Sequence, residues 1–196
     1  MTDFQSKTDT ELVKLTLQDQ EVFLHLMQRY EKKLLRYICR LSGGNKEFAE
    51  DIAQEIFIKI YKNLNDFDPN LSFSSWAYRI THNEAINYLK KFNREKVIPI
   101  ETDDKNIASL IDILESNVDI VKETAKKELQ EKVQKILSML SPQFRDILIL
   151  KFLEEKEYKE ISDILQKPMV TIATMINRAK AQFKQIAIKN NILIND

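Results

Sequence analysis

The stretch YKEISDILQKPMVTIATMINRAKAQFK, from Tyr158 to Lys184, decides the fold of the C-terminal part of the chain. Two amphipathic helical patterns flank the break Gln166–Pro168, and this is the outline of a helix-turn-helix. The turn contains no glycine, and the second helix carries no positive charge before Arg178. The pattern therefore fits two structures, a DNA-reading element or a helical hairpin that only packs in a bundle.

A helical wheel divides the second helix of this hairpin into a packing face and an outer face. The packing stripe is centred on Ile172 and runs to Ile186. Threonine methyls on the outer face suit thymine, and asparagine suits adenine. Because no acidic residue occurs between Pro168 and Asn195, this helix can lie against phosphate. The residues expected at DNA are Thr171, Thr174, Asn177, Arg178 and Lys180.

Composition limits the possible classes of protein. Two glycines and four prolines in 196 residues disfavour a turn-rich β fold and favour long helices. Lys+Arg and Asp+Glu balance at 30 each, so the net charge indicates no partner. A single cysteine, Cys39, excludes a disulfide framework. No signal peptide or membrane span is apparent, so we expect a cytoplasmic protein without membrane insertion.

Catalytic and metal-binding patterns are weak. The two histidines lie far apart in sequence, and two adjacent glycines cannot form a glycine-rich phosphate loop. Cys39 sits in a mainly apolar helical pattern, which favours a core position. We therefore expect no cofactor, no metal site and no enzymatic activity.

The pattern predicts an all-α fold of two small helical domains joined by an acidic linker. Apolar spacing predicts a helix from Asp19 to Leu41, ended by Gly43-Gly44, and Ser141-Pro142 begins a helix to about Leu153. Between Glu101 and Glu123, seven acidic residues outnumber two lysines, which predicts the linker. The predicted ranges are 1–96 for the first domain, 97–125 for the linker and 126–196 for the second domain, which ends in the helix-turn-helix.

The segment AEDIAQEIFIKIYKNL, residues 49–64, predicts a helix with one unusual feature. One wide apolar stripe faces a core, and Ile58 lies on the opposite face among charged and amide side chains. An apolar anchor within a polar rim is typical of a protein–protein contact. The alternative is a single exposed isoleucine without a role. The residues around Ile58 on this face are Asp51, Gln54, Glu55, Lys59 and Lys62.

The segment from Asn65 to Lys96 combines aromatic, amide and cationic residues. Rings stack on unpaired bases, amides bond to base edges and cations hold phosphates, so the mixture suits single-stranded nucleic acid. The alternative is that the aromatic rings pack in the core and the Lys/Arg cluster is a solvated helix end. The mixture consists of Phe67, Phe73, Trp76 and Tyr78 beside Arg79, His82, Asn83, Asn87, Lys90, Lys91, Arg94 and Lys96.

The order of these three motifs resembles bacterial RNA polymerase sigma factors of the extracytoplasmic-function (ECF) type. AEDIAQEIFIKIYKNLNDFDP followed by FSSWAYRITHNEAINYLKK resembles the first domain of that family. LSPQFRDILILKFLEEKEYKEISDILQKPMVTIATMINRAKAQF resembles its second domain. The resemblance runs from about Asp9 to Ile186 and implies a subunit that directs core RNA polymerase to promoters.

The resemblance also implies a role for each surface. The contacts to core polymerase would be Asp51, Gln54, Glu55 and Ile58. The segment from Trp76 to Lys91 would open the −10 element and hold its unpaired strand, and the candidate residues are Trp76, Arg79, Asn83 and Asn87, with Lys90 and Lys91 on phosphates. The helix from about Met169 would enter the major groove of the −35 element. The implied partners are core RNA polymerase, promoter DNA and, in some family members, an anti-sigma factor.

Two other functions remain compatible with the residues. A stand-alone helix-turn-helix regulator would bind duplex DNA without polymerase, but it would not need a surface for unpaired bases. An interaction-only helical protein would bind a partner without reading DNA, and the uncharged Ala173 and Met175 keep that alternative open.

Overall fold

The computed structural model describes residues 4–42, 46–91, 110 and 123–190. The chain divides into two compact units, largely Met1–Glu95 for the first and largely Lys96–Ser162 and Gln166–Asp196 for the second. The regular structure of the described residues is helical throughout, without a β-strand. The prediction of an all-α fold is therefore confirmed.

Four α-helices build the first unit. A short 3₁₀ turn, Gln20–Val22, leads into the second of them, and another, Leu64–Asp66, follows the third. A non-helical stretch then precedes the fourth helix, which begins at Phe73. The four helices are α1 (Asp9–Thr16), α2 (Phe23–Leu41), α3 (Lys46–Lys62) and α4 (Phe73–Lys91).

Helix α1 was not predicted, and a local capping box explains why it forms. The Thr8 hydroxyl accepts a hydrogen bond from the backbone N–H of Glu11, and the Glu11 carboxylate accepts one from the backbone N–H of Thr8 at 2.8 Å. Asp9 then fixes α1 to α2, because its carboxylate accepts hydrogen bonds from Arg29 at 2.6 Å and from the Tyr30 hydroxyl at 2.5 Å.

Helices α2, α3 and α4 enclose the core of the first unit. Residues spaced three and four apart are buried on each helix, as periodicity predicted. The core residues include Leu26, Leu34, Tyr37 and Ile38 from α2, Ile52, Ile56 and Ile60 from α3, and Phe73, Trp76, Ala77 and Tyr78 from α4. This core fixes which faces of α3 and α4 remain exposed.

The second unit contains α5 (Glu123–Met139), α6 (Pro142–Leu148), α7 (Tyr158–Leu165) and α8 (Met169–Lys189). Helix α6 continues as a π-helical turn, Ile149–Leu153, so the prediction of a helix from Ser141-Pro142 to about Leu153 is confirmed. Ser141 occupies the N-cap position, but its side chain makes no capping hydrogen bond. The Gly43-Gly44 cap and most of the 97–125 linker lie outside the described residues.

The turn between α7 and α8 closes without glycine. Gln166 takes the left-handed conformation at φ 52° and ψ 48°, which glycine usually supplies at the end of a helix. The Ser162 hydroxyl donates to the Lys167 carbonyl at 2.6 Å, and the Lys167 N–H donates to the Ser162 carbonyl at 3.2 Å. These two bonds hold the turn and set the position where α8 begins.

Candidate polymerase and nucleic-acid interfaces

The outer face of α3 presents the four residues that sequence analysis assigned to a protein contact. Asp51, Gln54, Glu55 and Ile58 are all exposed, while the opposite side of the helix is buried. Ile58 keeps 55% of its surface accessible, so much of its side chain is available to a partner. The Glu55 carboxylate also accepts a hydrogen bond from the Tyr88 hydroxyl of α4. The structure thus groups the four residues on one surface.

A groove between α2 and α3 adjoins this surface, and sequence analysis did not predict it. Its volume is about 690 Å³, and Gln54 and Ile58 are part of its lining. The α2 wall contributes apolar side chains that are only half-buried: Phe23, Met27 and Leu35. Their spacing of four and eight residues forms a second apolar line on α2, and this line was the available sequence signal. Two carboxylates, Glu31 and Glu50, also line the groove.

The aromatic residues before and within α4 pack in the core. The Phe67 ring lies 5.4 Å from the Phe73 ring and 5.5 Å from the Trp76 ring, and Tyr78 is also buried. For these rings the core-packing alternative is correct. Trp76 is only 5% exposed, so its assignment to −10 DNA remains a prediction that requires neighbouring rings to move.

The remaining candidates on α4 form an exposed polar stripe, defined by Arg79, Asn83, Asn87, Lys90 and Lys91. Their spacing of about four residues places them on one side of the helix. Arg79 is half-buried and the other four are exposed. The stripe thus orders a guanidinium, two amides and two ammonium groups along one line, which matches the chemistry of bases and phosphates.

His82 turns away from this polar stripe and toward α2. Its Nδ1 and the Tyr37 hydroxyl are hydrogen-bonded at 2.9 Å, and the two rings stack. Burial lowers the pKa of His82 to about 4. The imidazole is therefore neutral at pH 7 and adds no charge to the adjacent stripe.

The packing face of α8 agrees with the helical wheel. Ile172, Ile176, Ala179 and Phe183 are buried, and Met175 is half-buried at the edge. The outer face exposes Thr171, Thr174, Asn177 and Arg178, while Lys180 is half-buried. The structure therefore brings all five predicted −35 residues onto one helix, with four of them exposed.

Two details refine the outer face of α8. The Thr174 hydroxyl donates to the Val170 carbonyl at 3.0 Å, which satisfies its donor within the helix and leaves its methyl group for a base contact. Val170 itself is 80% exposed at the first turn and was not among the predicted site residues. An exposed apolar group at the start of a recognition helix is suited to a thymine methyl.

Within residues 4–42, 46–91 and 123–190, none of the helices has the length and apolar character of a membrane span. The same ranges hold no group of three His, Cys, Asp or Glu side chains arranged to hold a metal ion.

Comparisons with known sequences match both units of the chain. The family described as Sigma-70 region 2 matches residues 20–95, and Sigma-70, region 4 matches residues 130–183. The ECF RNA polymerase sigma factor SigW of Bacillus subtilis is 30% identical over 168 residues, which cover 85% of this chain and 89% of SigW. The ECF RNA polymerase sigma-E factor of Escherichia coli is 29% identical over 166 residues, with 83% and 84% covered.

Two solved structures share the fold. CnrH, solved in complex with the cytosolic domain of CnrY, is 21% identical, with a TM-score of 0.67 over 93% of this chain and 99% of CnrH. The sigma factor RpoE of Bartonella quintana, solved with the anti-sigma factor NepR, is 22% identical, with a TM-score of 0.60 over 85% of this chain and 96% of RpoE.

Proposed function

This chain belongs to the ECF family of RNA polymerase sigma factors, and we propose a binding role in transcription initiation for each of its exposed surfaces. It binds core RNA polymerase and directs transcription from particular promoters. The observation that carries the division of roles is that α3, α4 and α8 each expose a chemically different face. We assign the chain no chemical step of its own, since its part in initiation is binding. That binding takes place in the cytoplasm, where polymerase and chromosome lie.

Core polymerase binds the surface of α3. Ile58 is the apolar anchor, and Asp51, Gln54 and Glu55 form the polar rim around it. An apolar centre that excludes water from a charged rim is the usual arrangement of a stable protein contact. The two carboxylates, Asp51 and Glu55, would pair with basic groups on polymerase.

The exposed stripe of α4 binds the melted −10 strand. Asn83 and Asn87 bond to base edges, which are accessible only when the strands separate, and Lys90 and Lys91 hold the phosphates. Because the aromatic rings nearby are buried, the planar Arg79 guanidinium is the group suited to stacking on an extruded base. Preference for the unpaired strand over the duplex shifts the equilibrium toward the open promoter.

Helix α8 enters the major groove at the −35 element. Its first turns carry Thr171 and Thr174, and Arg178 follows one turn later to reach a phosphate or a guanine. The N-cap residue is Pro168, and no side chain caps this helix end, so the first N–H groups are available to phosphate. Because α8 carries few positive charges, its binding to −35 DNA depends on tethering through polymerase.

An anti-sigma factor is a further partner that fits this chain. Both structural neighbours were solved as complexes, one with the cytosolic domain of CnrY and one with the anti-sigma factor NepR. A protein that covers the α3 surface would prevent polymerase binding, because the two partners would compete for the same side chains.

The test is complex formation with purified core polymerase. We expect the protein to co-elute with core enzyme on size-exclusion chromatography and to bind promoter DNA only as part of that complex. Tight binding to duplex promoter DNA by the isolated protein, with no complex with core enzyme, would instead identify a stand-alone helix-turn-helix regulator.

A further inference from the structure

Two side-chain links join the α3 surface to α4, and neither was suggested by the sequence. The Tyr88 hydroxyl of α4 donates to the Glu55 carboxylate of α3. One turn away, the Lys59 ammonium lies 2.5 Å from a carboxylate oxygen of Glu84. Because each helix contributes residues four apart, the links form a ladder of two rungs, called here the α3–α4 ladder.

The ladder lies where the core no longer holds α4. The fully buried residues of α4 end at Ala85, and none of the described residues from Ile86 to Lys91 is buried. A hollow of about 520 Å³ separates the two helices here, and all four ladder residues line it. The rotation of the last turns of α4 therefore depends on surface links more than on core packing.

Each rung sits directly beside a residue assigned to the melted strand. Asn83 precedes Glu84, and Asn87 precedes Tyr88, so a rotation of α4 that breaks a rung also displaces an amide. A group on the outside of a helix, about 5–6 Å from its axis, moves about 1.5 Å when the helix turns by about 15°. That displacement is enough to misalign a hydrogen bond to a base edge.

The Lys59–Glu84 ion pair of the ladder has an electrostatic role as well. Glu84 is the one acidic residue in the sequence of α4, and it adjoins the polar stripe. The side chain of Glu84 is 20% exposed, whereas that of Lys59 is 49% exposed. Lys59 thus compensates a carboxylate that would otherwise repel the phosphates of the bound strand.

We propose that the α3–α4 ladder consists of positioning residues: Tyr88, Lys59 and Glu84 set the rotation of α4 so that Asn83 and Asn87 meet the bases of the melted −10 strand. This inference rests on the proposed −10 role of the stripe. Through Glu55, the ladder also joins the helix that binds polymerase to the helix that binds the unpaired bases.

The test uses the full-length protein assembled with core polymerase and a single-stranded oligonucleotide of the non-template −10 sequence. Tyr88→Phe removes one hydroxyl and keeps the ring. We expect it to weaken oligonucleotide binding about three- to tenfold, the range for one hydrogen bond, while affinity for core polymerase stays within about twofold. Tyr158→Phe is the matched control, because it removes the hydroxyl of an exposed tyrosine in the second unit and is expected to change neither affinity.

A double-mutant cycle separates positioning from general stability. In an Asn83→Ala/Asn87→Ala background, Tyr88→Phe should have almost no further effect, because the amides that it positions are gone. A full additive loss in that background, an unchanged affinity of the single variant, or an equal loss of core binding would each overturn the ladder proposal. If the wild-type holoenzyme itself fails to bind the oligonucleotide, the proposed −10 role of the stripe is wrong instead.

Discussion

Replacement of Ile58 tests the polymerase-binding surface most sharply, because Ile56 provides an internal comparison. The two isoleucines lie two residues apart on α3, but Ile58 is 55% exposed and Ile56 is 1% exposed. Ile58→Asp should therefore leave the fold intact, although loss of the buried part of the side chain should lower the free energy of unfolding by about 1 kcal/mol. Ile56→Asp places a carboxylate in the core and should unfold the first unit.

The expected loss of affinity follows from the exposed fraction of Ile58. Full burial of an isoleucine side chain contributes about 1.5–3 kcal/mol, so the exposed half contributes about 1–1.5 kcal/mol when polymerase covers it. A buried carboxylate without a partner adds about 1–3 kcal/mol. The sum of about 2–4.5 kcal/mol corresponds to a roughly 30- to 1,600-fold weaker complex.

The assay is a titration of fluorescently labelled protein with core polymerase, paired with circular dichroism of the free variant. Ile58→Ala should fall between the wild type and Ile58→Asp, at about 5- to 12-fold weaker binding. If Ile58→Asp binds core polymerase like the wild type, Ile58 is a single exposed isoleucine without a role. If its helical signal collapses together with binding, the assignment of this face to the surface is wrong.

Three further predictions concern the second unit. Burial raises the pKa of Asp146 from 3.8 to about 6, so its protonated form stabilises the fold at low pH. The free energy of unfolding should thus fall by about 1 kcal/mol from pH 5 to pH 7, as denaturant titration would measure, and Asp146→Asn should abolish this part of the pH dependence. Gln166→Gly should raise the melting temperature, because glycine relieves about 1 kcal/mol of left-handed backbone strain. Arg178→Ala should reduce transcription from −35-dependent promoters several-fold with little change in stability, and an unchanged output would favour an interaction-only protein.

Periodicity was enough to predict most helices and the face of α8, because a repeated three-and-four spacing directly reports one buried side. Thus Ile172, Ile176 and Phe183 are buried, and Thr171 and Arg178 are exposed, as the wheel indicated. The missed helix α1 is only eight residues long, too short for a clear periodic signal. Its capping box, formed by Thr8 and Glu11, was the signal available in the sequence.

Local sequence patterns could not predict the tertiary contacts. A run of aromatic and cationic residues is compatible with both stacking on bases and core packing, and only the packed structure shows that Trp76 is buried against Phe67 and Phe73. The hydrogen bond from Tyr88 to Glu55 joins residues 33 positions apart, so no local window contains it. The turn at Gln166 shows that hydrogen bonds from neighbouring residues can replace glycine where backbone conformation would favour it.

We propose that this sigma factor opens promoters by holding the unpaired −10 strand on α4. The most direct measurement is permanganate reactivity of −10 thymines in complexes of the protein with core polymerase, on promoters found by mapping transcription starts after overexpression. We expect reactive −10 thymines with the wild-type protein and their loss with Asn83→Ala/Asn87→Ala, although the variant still binds core polymerase. Equal reactivity with this variant would show that these amides of α4 do not hold the unpaired strand.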